Sequence, residues 1–195
     1  MASAIKFTPG NIISSFGWLI PQILAIIAVF LPIFNGSPQK SIVFMMLSGL
    51  LIAIGTISSY KDTSDADVNS LLCNMFYLLD DTTPDCPSKN SLFVSFTCIY
   101  LISPMILYNT YNYWALCAIL LFLMCHIVHQ KNSGCSSVKC YLPAIFWGGF
   151  MGYLSVYFIA LAEYEELLYF NELASNKVVC NKTLAGTNKC STSFK

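Results

Sequence analysis

Long apolar stretches separated by short polar ones dominate the chain. Residues 17–34, 41–59, 91–108, 113–129 and 142–162 contain no Lys, Asp or Glu. Each is close to the ~20 residues that a helix rising 1.5 Å per residue needs to cross a ~30 Å hydrocarbon core. The pattern predicts an all-α, multi-pass transmembrane helical bundle of five spans over residues 1–162. A helical extension and a cysteine-containing polar tail follow over residues 163–195. A polar loop at 60–90 and a shorter one at 129–141 interrupt the apolar runs.

Within the spans the sequence keeps a membrane grammar. Pro21, Pro32 and Pro104 lie inside or near the ends of apolar runs, where a bundle tolerates them because neighbouring helices re-satisfy the freed backbone groups. The run "WGGFMGYL" at 147–154 places Gly148 and Gly152 four apart, the small-xxx-small spacing that lets two helices approach closely. The start of the chain has no charged n-region with a small-residue cleavage site, so the first span reads as a retained helix. Met1–Phe16 reads as a mildly amphipathic interfacial stretch. "EYEELLYFNELASNK" (163–177) reads as a helical continuation of the last span. Beyond it the tail reads either as a disulfide-closed knob or as a disordered end.

Composition agrees with the class. Hydrophobic residues make up 56% of 195 and charged residues 10%, against about a quarter charged in a soluble domain. Mean hydropathy is +0.63. No nucleic-acid partner is indicated at a formal net charge of zero. Membrane lipids are the partners the composition implies. No span carries a central acidic or basic residue of the kind that marks an ion pathway.

Five spans put the N-terminus, the 60–90 loop and the 129–141 loop on one side (the N-side), and the two short turns and the tail on the other (the C-side). Lys6, Lys61, Lys89, Lys131 and Lys139 fall on the N-side, which the positive-inside rule reads as cytoplasmic. The sequons at Asn35 ("NGS") and Asn181 ("NKT") fall on the C-side, in agreement. Of the nine cysteines, Cys98, Cys117 and Cys125 lie in spans and read as small core residues. The other six form neighbouring pairs in polar segments: Cys73 with Cys86, Cys135 with Cys140, and Cys180 with Cys190. Local pairs of this kind suggest disulfides, which form in oxidising compartments. Four of these six are on the N-side. Either that side is lumenal and the lysines mislead, or only the tail pair is bridged.

Metal chemistry finds little footing. Asp62, Asp65, Asp67, Asp80, Asp81 and Asp85 crowd one loop. An EF-hand there would need Gly at its sixth position and Glu at its twelfth, and neither register occurs. A solvated acidic loop is the better reading. His126 and His129 share a helical face near Cys125, Cys135 and Cys140. That spacing matches no closed zinc pattern, and the histidines read as interfacial residues at a helix end. No cofactor is expected.

The segment "CPSKNSLF" (86–93) opens an apolar helix with Pro87-Ser88-Lys89-Asn90. After one further span comes "SGCSSVKCYLPAIFWGGFMG". In order and spacing these two segments resemble the type 2 phosphatidic acid phosphatase superfamily, the lipid phosphate phosphatases related to haloperoxidases, over about residues 84–160. That family's middle motif is Pro-Ser-x-His. Its last motif is Ser-Arg, then His six after the Arg and Asp four after the His. The resemblance places Asn90 where the family has its general-acid His. Ser133 and Gly134 stand in the Ser-Arg places, Cys140 for the nucleophilic His and Ala144 for its orienting Asp. The family's first motif finds only Lys61. All ten basic residues are lysine, so the planar guanidinium forks that grip phosphate in the family are missing.

The resemblance therefore implies a pseudoenzyme. Its catalytic set is lost at Asn90, Cys140 and Ala144, and losing the nucleophile alone costs about 10⁴–10⁶ in turnover. Lys61, Pro87, Ser88, Lys89, Ser133 and Lys139 are the candidates for contact with an anionic phospholipid headgroup. Two alternatives stand beside it. One is a structural multi-pass component of a larger membrane or capsid-type assembly, in an organelle or a viral inner membrane. The other is a divergent phosphatase using Cys140 as a thiolate, which needs a lowered pKa and a phosphoryl cradle.

Overall fold

The computed structural model describes residues 9–61, 85–109, 111–132, 137–169, 179–182 and 188–191. Five helices carry the fold: α1 (Pro9–Phe34), α2 (Pro38–Ser58), α3 (Lys89–Leu107), α4 (Tyr113–Asn132) and α5 (Val138–Leu161). Each contains a segment long and apolar enough to cross a membrane. Two short antiparallel ribbons accompany them. β1 (Tyr60–Lys61) pairs with β2 (Asp85–Cys86), and β3 (Val179–Lys182) pairs with β4 (Asn188–Ser191).

The helices run past the apolar runs at several ends. Helix α1 begins at Pro9, inside the stretch expected to lie at the interface, because nothing in "PGNIISSF" stops a helix that Pro9 can initiate. Helix α2 likewise starts at Pro38, and α4 continues through Lys131 to Asn132.

Helix α3 is the centre of the bundle. Its span is 83% buried, against 22–33% for the other four, whose outward faces carry exposed Phe34, Met46, Ile57, Trp114 and Phe158. An apolar exterior of this kind is stable only when lipid covers it. Helix α5 runs parallel to α3 and approaches it closely at Gly148 and Gly152, as their spacing suggested. A Cβ on Gly148 would collide with the Leu92 carbonyl, and one on Gly152 would lie 2.7 Å from the Phe96 carbonyl. Above this seam, Ser95 donates its hydroxyl to the Ile145 carbonyl at 2.6 Å. On the other flank α1 meets α4 where a Cβ on Gly17 would collide with His129 Cβ.

Phe44 of α2 centres an aromatic cluster, with ring centroids 6.3 Å from Phe93, 6.1 Å from Phe96, 5.7 Å from Tyr100 and 6.3 Å from Tyr169. The last of these partners corrects the expected stalk. Helix α5 does not continue into 163–169, and residues 170–178 lie outside the described residues. It stops at Leu161, Glu163 takes a left-handed φ of 59°, a single 3₁₀ turn spans Glu165–Leu167, and the chain folds back. Leu168 and Tyr169 are then completely buried. Two large side chains leaving lipid-facing or aqueous surroundings for the bundle core outweigh the helical propensity of a Glu/Leu-rich segment.

The cysteines in spans do not behave alike. Cys98 is fully buried, Cys125 is half-buried, and Cys117 is exposed on α4, so it is not the core residue its apolar setting suggested.

Candidate functional site

The starts of α3 and α5 lie side by side at the N-side end of the bundle. Cys86, immediately before α3, is bonded to Cys140 in the first turn of α5. This corrects the expectation that each would pair with its sequence neighbour, Cys73 or Cys135. Parallel packing of α3 against α5 brings residues 54 apart in sequence to a Cα–Cα distance of 4.8 Å. Cys73 and Cys135 lie outside the described residues. The bridge also removes Cys140 as a thiolate nucleophile or metal ligand, since a disulfide sulfur is neither.

Around the bridge the backbone is knitted together. The Ser88 N–H donates to the Cys140 carbonyl at 3.4 Å. Ser88 caps α3, its hydroxyl accepting the Ser91 N–H at 3.4 Å, as a serine N-cap does. Ser137 takes the cap position of α5 without a side-chain bond. Neither helix has an acidic residue in its first turn. Two positive helix-dipole ends therefore converge here. Lys89 occupies the first turn of α3 and Lys139 that of α5. Lys89 is half-buried and Lys139 exposed, while Pro87 is half-buried between the bridge and the cap.

Of the positions left by the resembled catalytic set, Asn90 and Ala144 are both buried. An alanine at 144 has no group to orient a neighbour, and an amide at 90 transfers no proton at neutral pH. Lys61 lies on β1 opposite Asp85 in the ribbon, next to the bridge in sequence register but with only its backbone described. Ser133 lies outside the described residues, as do Asp62, Asp65, Asp67, Asp80 and Asp81.

His126 and His129 share a face of α4 near its end, as expected, and both are buried between helices. His126 Nε2 lies 3.2 Å from Ser91 Oγ and 3.5 Å from the side-chain nitrogen of Gln130, one turn on. Ser91 Oγ is in turn 3.2 Å from Ser88 Oγ. A chain of polar groups thus runs from the α3 cap through Ser91 to His126 and Gln130. Nδ1 is buried short of a well-formed hydrogen bond, and the backbone of Gly17 acts on the ring from α1. Pro21 lacks the N–H that would otherwise bond the Gly17 carbonyl.

Sequence reasoning grouped His126 with cysteines and missed Ser91 and Gln130. The available signal was the i, i+4 spacing of two polar residues, His126 and Gln130, near the end of an apolar helix. Among the described residues no three His, Cys, Asp or Glu side chains converge as a metal site would require. Asn35 is exposed in the tight turn between α1 and α2, and Asn181 lies on β3. Cys180 and Cys190 are register partners across the β3–β4 ribbon. Comparison of the chain with protein-family models, curated proteins and solved structures gives no match.

Proposed function

We propose that this chain is a non-catalytic integral membrane protein that receives an anionic phospholipid headgroup at the paired N-termini of α3 and α5. The observation that carries the reading is the convergence of those two helix starts beside the Cys86–Cys140 bridge, with Lys89 and Lys139 in their first turns and no carboxylate in either. Backbone N–H groups and the dipoles of both helices favour negative charge there, and two ammonium groups add point charges without the bidentate grip of arginine. Catalysis is disfavoured by the same residues. The sulfur of Cys140 is committed to a bond, and Asn90 and Ala144 offer neither acid nor orienting base. The chain is thus a phosphatase-like pseudoenzyme in this reading, holding a headgroup without cleaving it.

Purified protein in neutral detergent, titrated with short-chain phosphatidic acid and with phosphatidylcholine of equal chain length, tests this. Saturable binding of phosphatidic acid that weakens at least tenfold in Lys89→Ala/Lys139→Ala, with no phosphate released, is the expected outcome. Equal binding of the two lipids, or binding untouched by the double substitution, sinks the headgroup reading and leaves a structural role in a membrane assembly. Phosphate release lost in Cys140→Ser would instead reveal an active enzyme.

A further inference from the structure

We infer that the end of the bundle formed by the starts of α3 and α5 faces an oxidising, non-cytosolic compartment, so that both sequons of the chain face the cytosol and stay unmodified. This assignment does not depend on headgroup binding.

The bridge is the first ground. Cys86 and Cys140 are 3% and 2% exposed and joined at the N-side end. The join requires a partner in its disulfide form. Two protein thiols give up two electrons and two protons, and a thiol–disulfide oxidoreductase is reduced from disulfide to dithiol. Such donors persist in secretory and extracytosolic compartments, whereas the cytosolic glutathione pool runs the exchange the other way.

The second ground is the path of the chain. Helices α3 and α5 both start at the bridged end, and α5 finishes at the opposite one, where Tyr169 docks onto α1 and α2. Only nine residues separate Tyr169 from Val179, too few for a further helical crossing. Asn181 on β3 therefore lies across the membrane from the bridge, as does Asn35 in the α1–α2 turn.

The lysine asymmetry points the other way, since Lys61, Lys89, Lys131 and Lys139 flank the bridged end. Lysine bias is a statistical insertion preference. A disulfide is a chemical product that a reducing compartment does not allow to accumulate, and it decides the orientation.

Full-length protein made with microsomes in a eukaryotic translation extract tests both parts. Denaturing maleimide mass-tagging should count one more free thiol in Cys86→Ser than in wild type, because Cys140 is released, and the wild-type number in Cys86→Ser/Cys140→Ser. One fewer thiol in Cys86→Ser overturns the bridge. For orientation, Leu71→Thr places an acceptor at Asn69 in the 62–84 segment. It should gain one endoglycosidase-sensitive step, while Asn181 gains none. A glycan lost in Asn181→Gln overturns the assignment. A C-terminal epitope tag gives the same answer without glycosylation: digestion by protease added outside sealed microsomes supports it, and protection overturns it.

Discussion

Tyr169 donates its hydroxyl to the carbonyl of Ala28 at 2.7 Å across 141 residues of sequence. The acceptor is not an arbitrary one. Ala28 is four residues before Pro32, whose nitrogen carries no hydrogen, so this carbonyl is one that α1 itself leaves without a donor. The break that a proline makes in a membrane helix is thereby mended by a side chain from the far end of the bundle, as a bundle requires. Tyr169 also reaches the Lys40 carbonyl at 3.3 Å, so one hydroxyl ties α1, the start of α2 and the folded-back segment together.

Tyr169→Phe keeps the ring among Phe44 and Tyr100 but removes the donor. A buried carbonyl left unpaired costs about 1–3 kcal/mol. Reversible unfolding in mixed micelles should show a loss of that size, with protease first cutting after Leu161. An unchanged unfolding midpoint would mean the hydroxyl contributes nothing.

The glycine seam makes a paired prediction. Gly148→Ala forces a methyl into the Leu92 carbonyl, and separation of two close-packed backbones should cost more than the ~1–3 kcal/mol typical of overpacking. Gly49→Ala on α2 has open space around it and should stabilise by about 0.5–1 kcal/mol through helix propensity. The thermal unfolding midpoints of the two variants should move in opposite directions.

Loss of the bridge should be felt equally from either end. Cys86→Ser and Cys140→Ser each open a loop of 54 residues, for which chain entropy suggests about 4 kcal/mol. The double variant should be no worse than either single. Additive losses on unfolding would show that the two sulfurs are not bonded.

Ser91 and His126 should be energetically coupled. Ser91→Ala removes the hydroxyl 3.2 Å from Nε2, and His126→Leu removes the ring from both Ser91 and Gln130. A double-mutant cycle should return a coupling of about 0.5–3 kcal/mol. A coupling near zero would mean that the pair is mere proximity.

Five apolar runs, their lengths and their polar interruptions specify five membrane-crossing helices, because partition into lipid depends on local composition summed over one helix length. The glycine spacing at 148 and 152 likewise announces a close-packed face, since small residues four apart share one side of any helix. The absence of arginine and the letters at Asn90, Cys140 and Ala144 are facts of sequence alone. What sequence could not decide was which surfaces meet. Cys86 pairs with Cys140 and not with a neighbour because α3 and α5 pack in parallel, and no local signal encodes that register. His126 is buried between helices because Ser91 on α3 and Gln130 on α4 meet Nε2 there. The stretch after Leu161 reads as helix by propensity, yet Tyr169 turns it back, because a carbonyl freed by a proline 137 residues earlier needs a donor and an aromatic pocket has room for the ring. Such long-range choices rest on complementary partners that exist only once the bundle has formed.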